Sequence, residues 1–406
     1  MEASTMIKPK GGDALVLVGT TKGAFLLRSD KGRKKWEVSG PHFPGHVVYA
    51  MAYDGRAGRR RMWFSSFHWA FGTTLRASDD FGKTWSNPEN HPIKFPEDTG
   101  QSLKQIWQIT PGLDNDPDHL YCGVEPAALF ESRDGGQSWS LVRGLWEHPH
   151  REKWTPGNGG MCMHTVVPDP SNPKRVLVAV SAAGVYRTDD GGKTWASKNK
   201  GIKAEFLPEG SQYPEFGQCV HKVARHPSRP QQLFLQNHGG LYRSDNGGDS
   251  WDYIGKGVPS DFGFPMVAHP HDPDTAYIFP LEREMRVGPE GKARVYRTRN
   301  AGKSWEALAK GLPQKAAYET VLRDGMAADN LKPAGIYFGT RTGKLYGSAN
   351  EGGSWQLIVE DLPPITCVKA AMVGDGNGSA RKAATAGGSR ATSGKAKVRK
   401  AAKKRR

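Results

Sequence analysis

The chain predicts an all-β fold, a seven-bladed β-propeller of four-stranded antiparallel blades, and three observations carry that expectation. An eight-residue pattern, Ser/Thr-x-Asp/Asn-x-Gly-x-Thr/Ser-Trp, recurs along most of the sequence. Its closing tryptophans, Trp36, Trp85, Trp139, Trp195, Trp251, Trp305 and Trp355, lie 49, 54, 56, 56, 54 and 50 residues apart, the length of one blade. The composition, with Gly 50, Pro 28 and aromatic residues at 10% of 406 positions, describes short strands and tight turns rather than helices.

The pattern has the chemistry of a hairpin turn. The copies at Ser78 to Trp85, Ser132 to Trp139 and Thr188 to Trp195 carry Asp at the third position, and those at Ser244, Thr298 and Ser348 carry Asn. A short carboxylate or carboxamide there can accept turn amides, a glycine such as Gly192 can take positive φ, and the tryptophan can bury its ring and donate its indole N–H. A worn first copy, Ser29 to Trp36, keeps only the ends. This work is structural, so none of the motif aspartates is a catalytic candidate.

Alternation and turn signals order the strands within each repeat. In the fourth, Cys162 to Val167 reads as the inner strand, Arg175 to Ser181 as the second and Gly184 to Thr188 as the third; Cys219 to Ala224, Gln232 to Gln236 and Gly240 to Ser244 repeat the order in the fifth. The first repeat lacks an inner strand, and a strand at 365–371 resembles Cys219 to Ala224. The ring is therefore expected to close with this C-terminal strand beside the N-terminal ones, leaving no open edge between first and last blades.

These boundaries divide the chain into an N-terminal extension at 1–13, the propeller at 14–373 and a Lys/Arg-rich tail at 374–406, expected to be disordered. The tail holds 11 Lys or Arg against one acid, so most of the formal charge of +16 belongs to it. Its end, 381–406, suits non-specific contact with a polyanion, and no aromatic residue is interleaved for base stacking. No apolar run is long enough for a membrane span, and the polar start at Met1 to Asp13 carries no export signal. Cys122, Cys162, Cys219 and Cys367 lack paired or knuckle spacing, which reads as reduced thiols in a cytoplasmic protein that acts as a monomer. No cofactor is expected and no metal is assigned.

Propeller geometry puts the motif turns on one rim and the connections between blades, with those between second and third strands, on the other. Two long connections, Ser140 to Met161 and Ala196 to Gln218, and an excursion from Pro280 to Lys292 fall on that second rim, and long loops in a compact repeat commonly carry function. The ligand-binding candidates there are His68, Trp69, His148, His150, Arg151, Trp154, Tyr213, His238, Asp261, Tyr318 and Glu319. Aligned inner strands place His164, His221 and Lys369 at the channel mouth, level with Tyr49, Trp107, Phe264 and Glu319. The expected function is a ligand-binding platform for a small molecule, glycan or peptide.

The motifs resemble BNR or Asp-box repeats, known from sialidases, sortilin-type receptors and xyloglucan-degrading glycosidases. Gly123 to Phe130, Gly144 to His150, Tyr213 to Cys219 and Asp261 to Met266 further resemble a bacterial family described as sialidase-like, glycosyl-hydrolase-like or WD40/YVTN/BNR-like. The resemblance implies a glycoside hydrolase as the alternative function, with Glu125 and Glu215, and Glu282 in reserve, as acid and base or nucleophile, and Trp69, Trp154 and Tyr213 stacking on sugar faces. A metal-assisted hydrolase using His148, His150, His164, His221 or His238 is a further alternative. True sialidase chemistry is not expected. The chain has no Arg-Ile-Pro, and Arg187, Arg243 and Arg297 repeat once per blade before the motif instead of converging.

Overall fold

The computed structural model describes residues 6–87 and 91–374, and these form seven antiparallel sheets arranged as a β-propeller. Six blades have four strands. The second has three among the described residues, Val47–Asp54, Arg61–His68 and Gly72–Ser78, and where a fourth strand would run, the Ser86 amide donates to Ala77 O at 2.9 Å. The blades of the fourth and fifth repeats follow the expected order, each ending in a two-residue outer strand, Ala196–Ser197 and Asp252–Tyr253. Among the described residues the α-helix is limited to Arg143–Trp146, and no helix is long and apolar enough to cross a membrane.

Ring closure occurs as expected. The last strand, Ile365–Met372, pairs antiparallel with Ala14–Thr20, from Ala14 opposite Met372 to Thr20 opposite Ile365, and becomes the inner strand of the first blade. The segment before it also takes part: Ile7 is buried against the first blade, Gly12 N donates to Val373 O and Val373 N to Asp13 O. Residues 6–13 are thus packed on the propeller. The tail expected at 374–406 lies, from residue 375 onward, outside the described residues.

The hydrophobic core is divided among the seams between blades. Leu177, Val185 and Ile202 of the fourth blade pack on Val220, Leu233 and Trp251 of the fifth, and equivalent sets fill the other seams. The closing seam is filled the same way: Val16, Val18 and Leu27 of the first blade meet Tyr337 and Leu345 of the last. Each blade buries apolar faces on both neighbours, so the closed ring leaves no end blade with an uncovered apolar face.

The repeated motif supplies the turns and also links blades. In the third blade Ser132 Oγ accepts Gly136 N at 2.9 Å and donates to Asp134, whose carboxylate accepts the Ser138 amide and hydroxyl. The Asn copies keep this pattern with one reversal: Asn246 Oδ1 accepts Ser250 N, while Asn246 Nδ2 donates to Ser250 Oγ at 2.9 Å. The fourth position of the motif needs left-handed backbone; Gly247 supplies it at φ 71°, and Ala301 and Glu351 are held there at φ 56° and 59°. Its carbonyl receives an arginine from the preceding blade: Arg187 reaches Gly247 O at 3.0 Å, Arg243 reaches Ala301 O at 2.9 Å and Arg297 reaches Glu351 O at 2.7 Å. The recurring arginines therefore join blades at the motif face.

Candidate functional site

Inner strands begin, and second strands turn into third strands, on the face opposite the motifs. There a cavity of about 500 Å³ opens over the central channel. Tyr49, Trp107, Cys219, His221 and Phe264 enter from the starts of inner strands, Ser181, Ala182 and His238 from turns after second strands, and Phe262, Arg286 and Arg323 from loops. Successive residues of a strand face opposite ways, so Cys219 and His221 can present side chains on one side while Val220 enters the core. The register slips there, with Val220 opposite Asn237 and Lys222 opposite Gln236, leaving His221 at an irregularity that re-aims its ring.

The walls are aromatic and the charge is cationic. Tyr49 and Trp107 meet edge to face at 4.5 Å, and Phe264 lies 4.8 Å from the His221 ring. Arg323 donates from Nε to His221 O at 2.8 Å and lies 5.5 Å from the Trp107 ring centroid, while Arg286 lies 5.9 Å from that of Phe264. No Asp or Glu is among the lining residues. Burial pushes the His221 imidazole well below its usual pKa, with Arg323 adding to the effect, and burial also lowers His238. Burial pushes the Tyr49 phenol up to about 12, so it remains an uncharged donor at neutral pH.

An ionic group is buried in the channel. Lys222 and Lys369 both donate to Asp324 Oδ1, at 2.8 and 2.6 Å, and Lys222 also reaches Gln108 at 3.4 Å. Burial alone would raise the Asp324 pKa, but the two ammonium groups outweigh it and hold the carboxyl below its usual range. Lys369, expected at the channel mouth, is part of this cluster. His164 is fully buried; Nδ1 pairs with Thr165 Oγ1 at 2.9 Å, and Nε2 has no hydrogen-bond partner among the described residues.

Of the sequence candidates, His221 and His238 line the cavity, His164 and Lys369 lie below it, and the others are distributed around the face. Glu125 stands behind the wall, accepting Trp107 Nε1 at 3.1 Å. Glu215 lies by the outer strand of the fourth blade, with Ser197 Oγ at 3.2 Å and His150 Nε2 at 3.7 Å. Glu282 accepts the Glu290 amide at 3.4 Å within the sixth-blade excursion. The three carboxylates thus sit on three blades with separate partners.

His148, Arg151 and Trp154 border a second hollow of about 620 Å³. Arg151 stacks 3.6 Å over Trp146, while Trp154 is only 8% exposed and donates its indole to Tyr186 at 2.8 Å, so that ring is engaged in packing. His150 stacks on Phe216 at 4.2 Å. Exposed Trp69 and Phe71 pack on half-buried His68 as a separate aromatic group on the second blade. Tyr213 and Tyr318 are exposed, Asp261 accepts Tyr253 OH at 3.0 Å, and Glu319 is buried with Lys344 at 2.9 Å. Sequence reasoning did not nominate Arg323, whose inward placement follows from the inner strand of the seventh blade starting only at Met326.

No family model matches the chain. A probable oligoxyloglucan-reducing end-specific xyloglucanase of Neosartorya fischeri is 25% identical over 184 residues, which is 44% of this chain and 19% of that protein. The chain therefore spans about a fifth of the length of the curated relative it matches. Among solved structures, a protein from Lactobacillus plantarum superposes with a TM-score of 0.56 at 14% identity, covering 88% of this chain and 99% of that one. The GH74 enzyme of Niastella koreensis superposes with a TM-score of 0.51 at 15% identity, covering 93% and 70%. At such identities the likeness is one of fold alone.

Proposed function

We propose that the propeller takes a small acidic ligand of the sugar-acid class in the cavity over its channel. The observation that carries this reading is the lining: two arginines, a ring of aromatic faces and no carboxylate. Guanidinium groups suit a carboxylate by geometry and charge, while aromatic walls suit the apolar face of a pyranose and leave its hydroxyls to Asn158, Thr155 and Ser181. Calorimetry of the full chain with glucuronate and with glucose tests it. Glucuronate should bind and glucose should not, and Arg286→Gln should weaken the acid at least tenfold; equal binding of both sugars, or of neither, would sink the reading.

The partial identity with a xyloglucanase favours a second reading, glycoside hydrolysis, and supports turnover over simple capture. Glu125, held by Trp107 beside the cavity, is then the first carboxylate to test, with Glu215 and Glu282 after it. Incubation with xyloglucan oligosaccharides should release new reducing ends, and Glu125→Gln should abolish the release. Full activity in all three Gln variants would reject these residues as the catalytic pair.

A further inference from the structure

We propose that Cys219, His221 and His238 form a three-ligand site for a divalent transition metal of the zinc class, with the fourth position open to the cavity. The thiol sulfur and one nitrogen of each ring all lie within 4.8 Å of one another. Tetrahedral zinc, with its ordinary bond lengths to sulfur and nitrogen, separates such ligands by about 3.3 to 3.6 Å. Cys219 Sγ and His221 Nε2 are already 3.7 Å apart, so loading requires the remaining group to close by at most about 1.2 to 1.5 Å.

Three features prepare the trio. His221 Nδ1 donates to Gly263 O at 2.6 Å, which fixes the tautomer and leaves the Nε2 lone pair facing the thiol; ligating histidines are commonly held this way by a carbonyl behind them. The His238 amide donates to Cys219 O at 2.9 Å, tying the turn that carries one ligand to the strand that carries the other two. The His238 ring packs edge to face on Phe262 at 5.0 Å and on His221 at 5.5 Å.

Charge explains what the open position would take. Arg286 and Arg323 line the same cavity and would disfavour a bare cation. Binding would displace the Cys219 proton to solvent, and the resulting thiolate would offset one of the metal's two charges; no electron transfer is involved. An anionic fourth ligand would then bridge metal and arginines. This last step rests on the proposed acidic ligand, whereas the three-residue site does not.

The test uses the full, untagged chain, stripped with EDTA and titrated with Co²⁺ as a spectroscopic substitute. One equivalent should bind with a thiolate-to-cobalt charge-transfer band and the visible bands of a tetrahedral ion. Cys219→Ser should remove the charge-transfer band, and His238→Ala should weaken binding at least tenfold. His221 is too deeply buried to serve as the diagnostic variant. No saturable cobalt binding, or an unchanged spectrum in Cys219→Ser, would overturn the site. Glucuronate calorimetry on stripped and loaded protein separates the two ideas: acid binding without cobalt binding would reject the metal and keep the ligand, and cobalt binding without acid binding in either state would do the reverse.

Discussion

Lys222 of the fifth blade and Asp324 of the seventh meet across the channel, Nζ to Oδ1 at 2.8 Å, with Lys369 of the first blade completing the group at 2.6 Å. Three blades that are not all sequence neighbours are thus tied at the axis. A lone buried carboxylate between two ammonium groups is held by their charge, and removing it leaves both uncompensated.

Asp324→Asn should therefore destabilise the protein by about 3 to 5 kcal/mol at neutral pH. Because the folded-state pKa of Asp324 is depressed, its contribution is complete above the unfolded carboxyl pKa of about 4 and is lost progressively as pH falls from that value through the lower folded-state pKa. The difference between wild type and variant should accordingly shrink in acid. Urea unfolding at neutral pH and at about pH 3.5 measures it; a difference that stays constant would show that Asp324 is not the group titrating.

Closure of the ring has a second fastening at the worn first motif. Arg33, within that worn copy, reaches across to the last blade: it pairs with buried Asp329 at 3.2 Å and donates to Pro333 O and Ala349 O at 2.9 and 3.0 Å. Arg33→Ala leaves Asp329 with Tyr337 OH and backbone amides but no cation. We expect a loss of about 3 to 5 kcal/mol, with faster hydrogen exchange across the seam of first and last blades. Exchange that rises equally around the ring would contradict a local fastening.

The Asp and Asn forms of the motif predict an order of tolerance. Ser132→Ala deprives the Gly136 amide of its acceptor in a buried turn and should cost about 1 to 3 kcal/mol. Asp134→Asn should be far milder, because Asn246, Asn300 and Asn350 already make the same turn. Thermal melts of the two variants test the order; Asp134→Asn melting below Ser132→Ala would show that charge, not hydrogen-bond shape, holds the turn.

The blade number and the closure were legible because each rests on residues that repeat in sequence as they repeat in space. The indole period counts the seams, and the strand at 365–371 could be matched to Cys219 to Ala224 as an inner strand. The seventh blade was harder. Aligning Glu319 with His221 places a carboxylate at the channel, but the chain winds without a strand until Met326, so Arg323 and Asp324 face inward and Glu319 pairs with Lys344. The second blade differs from its fellows in having no fourth strand among the described residues. The cavity itself was not legible as a unit. Tyr49, Trp107, Cys219, Phe264 and Arg323 come from five blades, and no local pattern joins them.

Glycines at the seams decide how closely blades approach, and they allow a contrast beside the cavity. A Cβ on Gly123, in the second strand of the third blade, would lie 2.3 Å from Met163 O on the inner strand of the fourth. The obstacle is backbone, so no side-chain rotation relieves it, and Gly123→Ala must push the two blades apart. We expect a loss of about 1 to 3 kcal/mol, as for an overpacked core. Gly159, which lines the cavity, has nothing within 4 Å of its Cβ position, and Gly159→Ala should change stability by less than about 0.5 kcal/mol. Because Trp107 belongs to the third blade and the loop at Thr155 to Gly159 leads into the fourth, spreading this seam should also weaken glucuronate binding in Gly123→Ala. Chemical denaturation and calorimetry on both variants decide it: equal stability would mean that the seam yields without strain, and unchanged affinity in a destabilised Gly123→Ala would mean that the cavity does not depend on blade spacing.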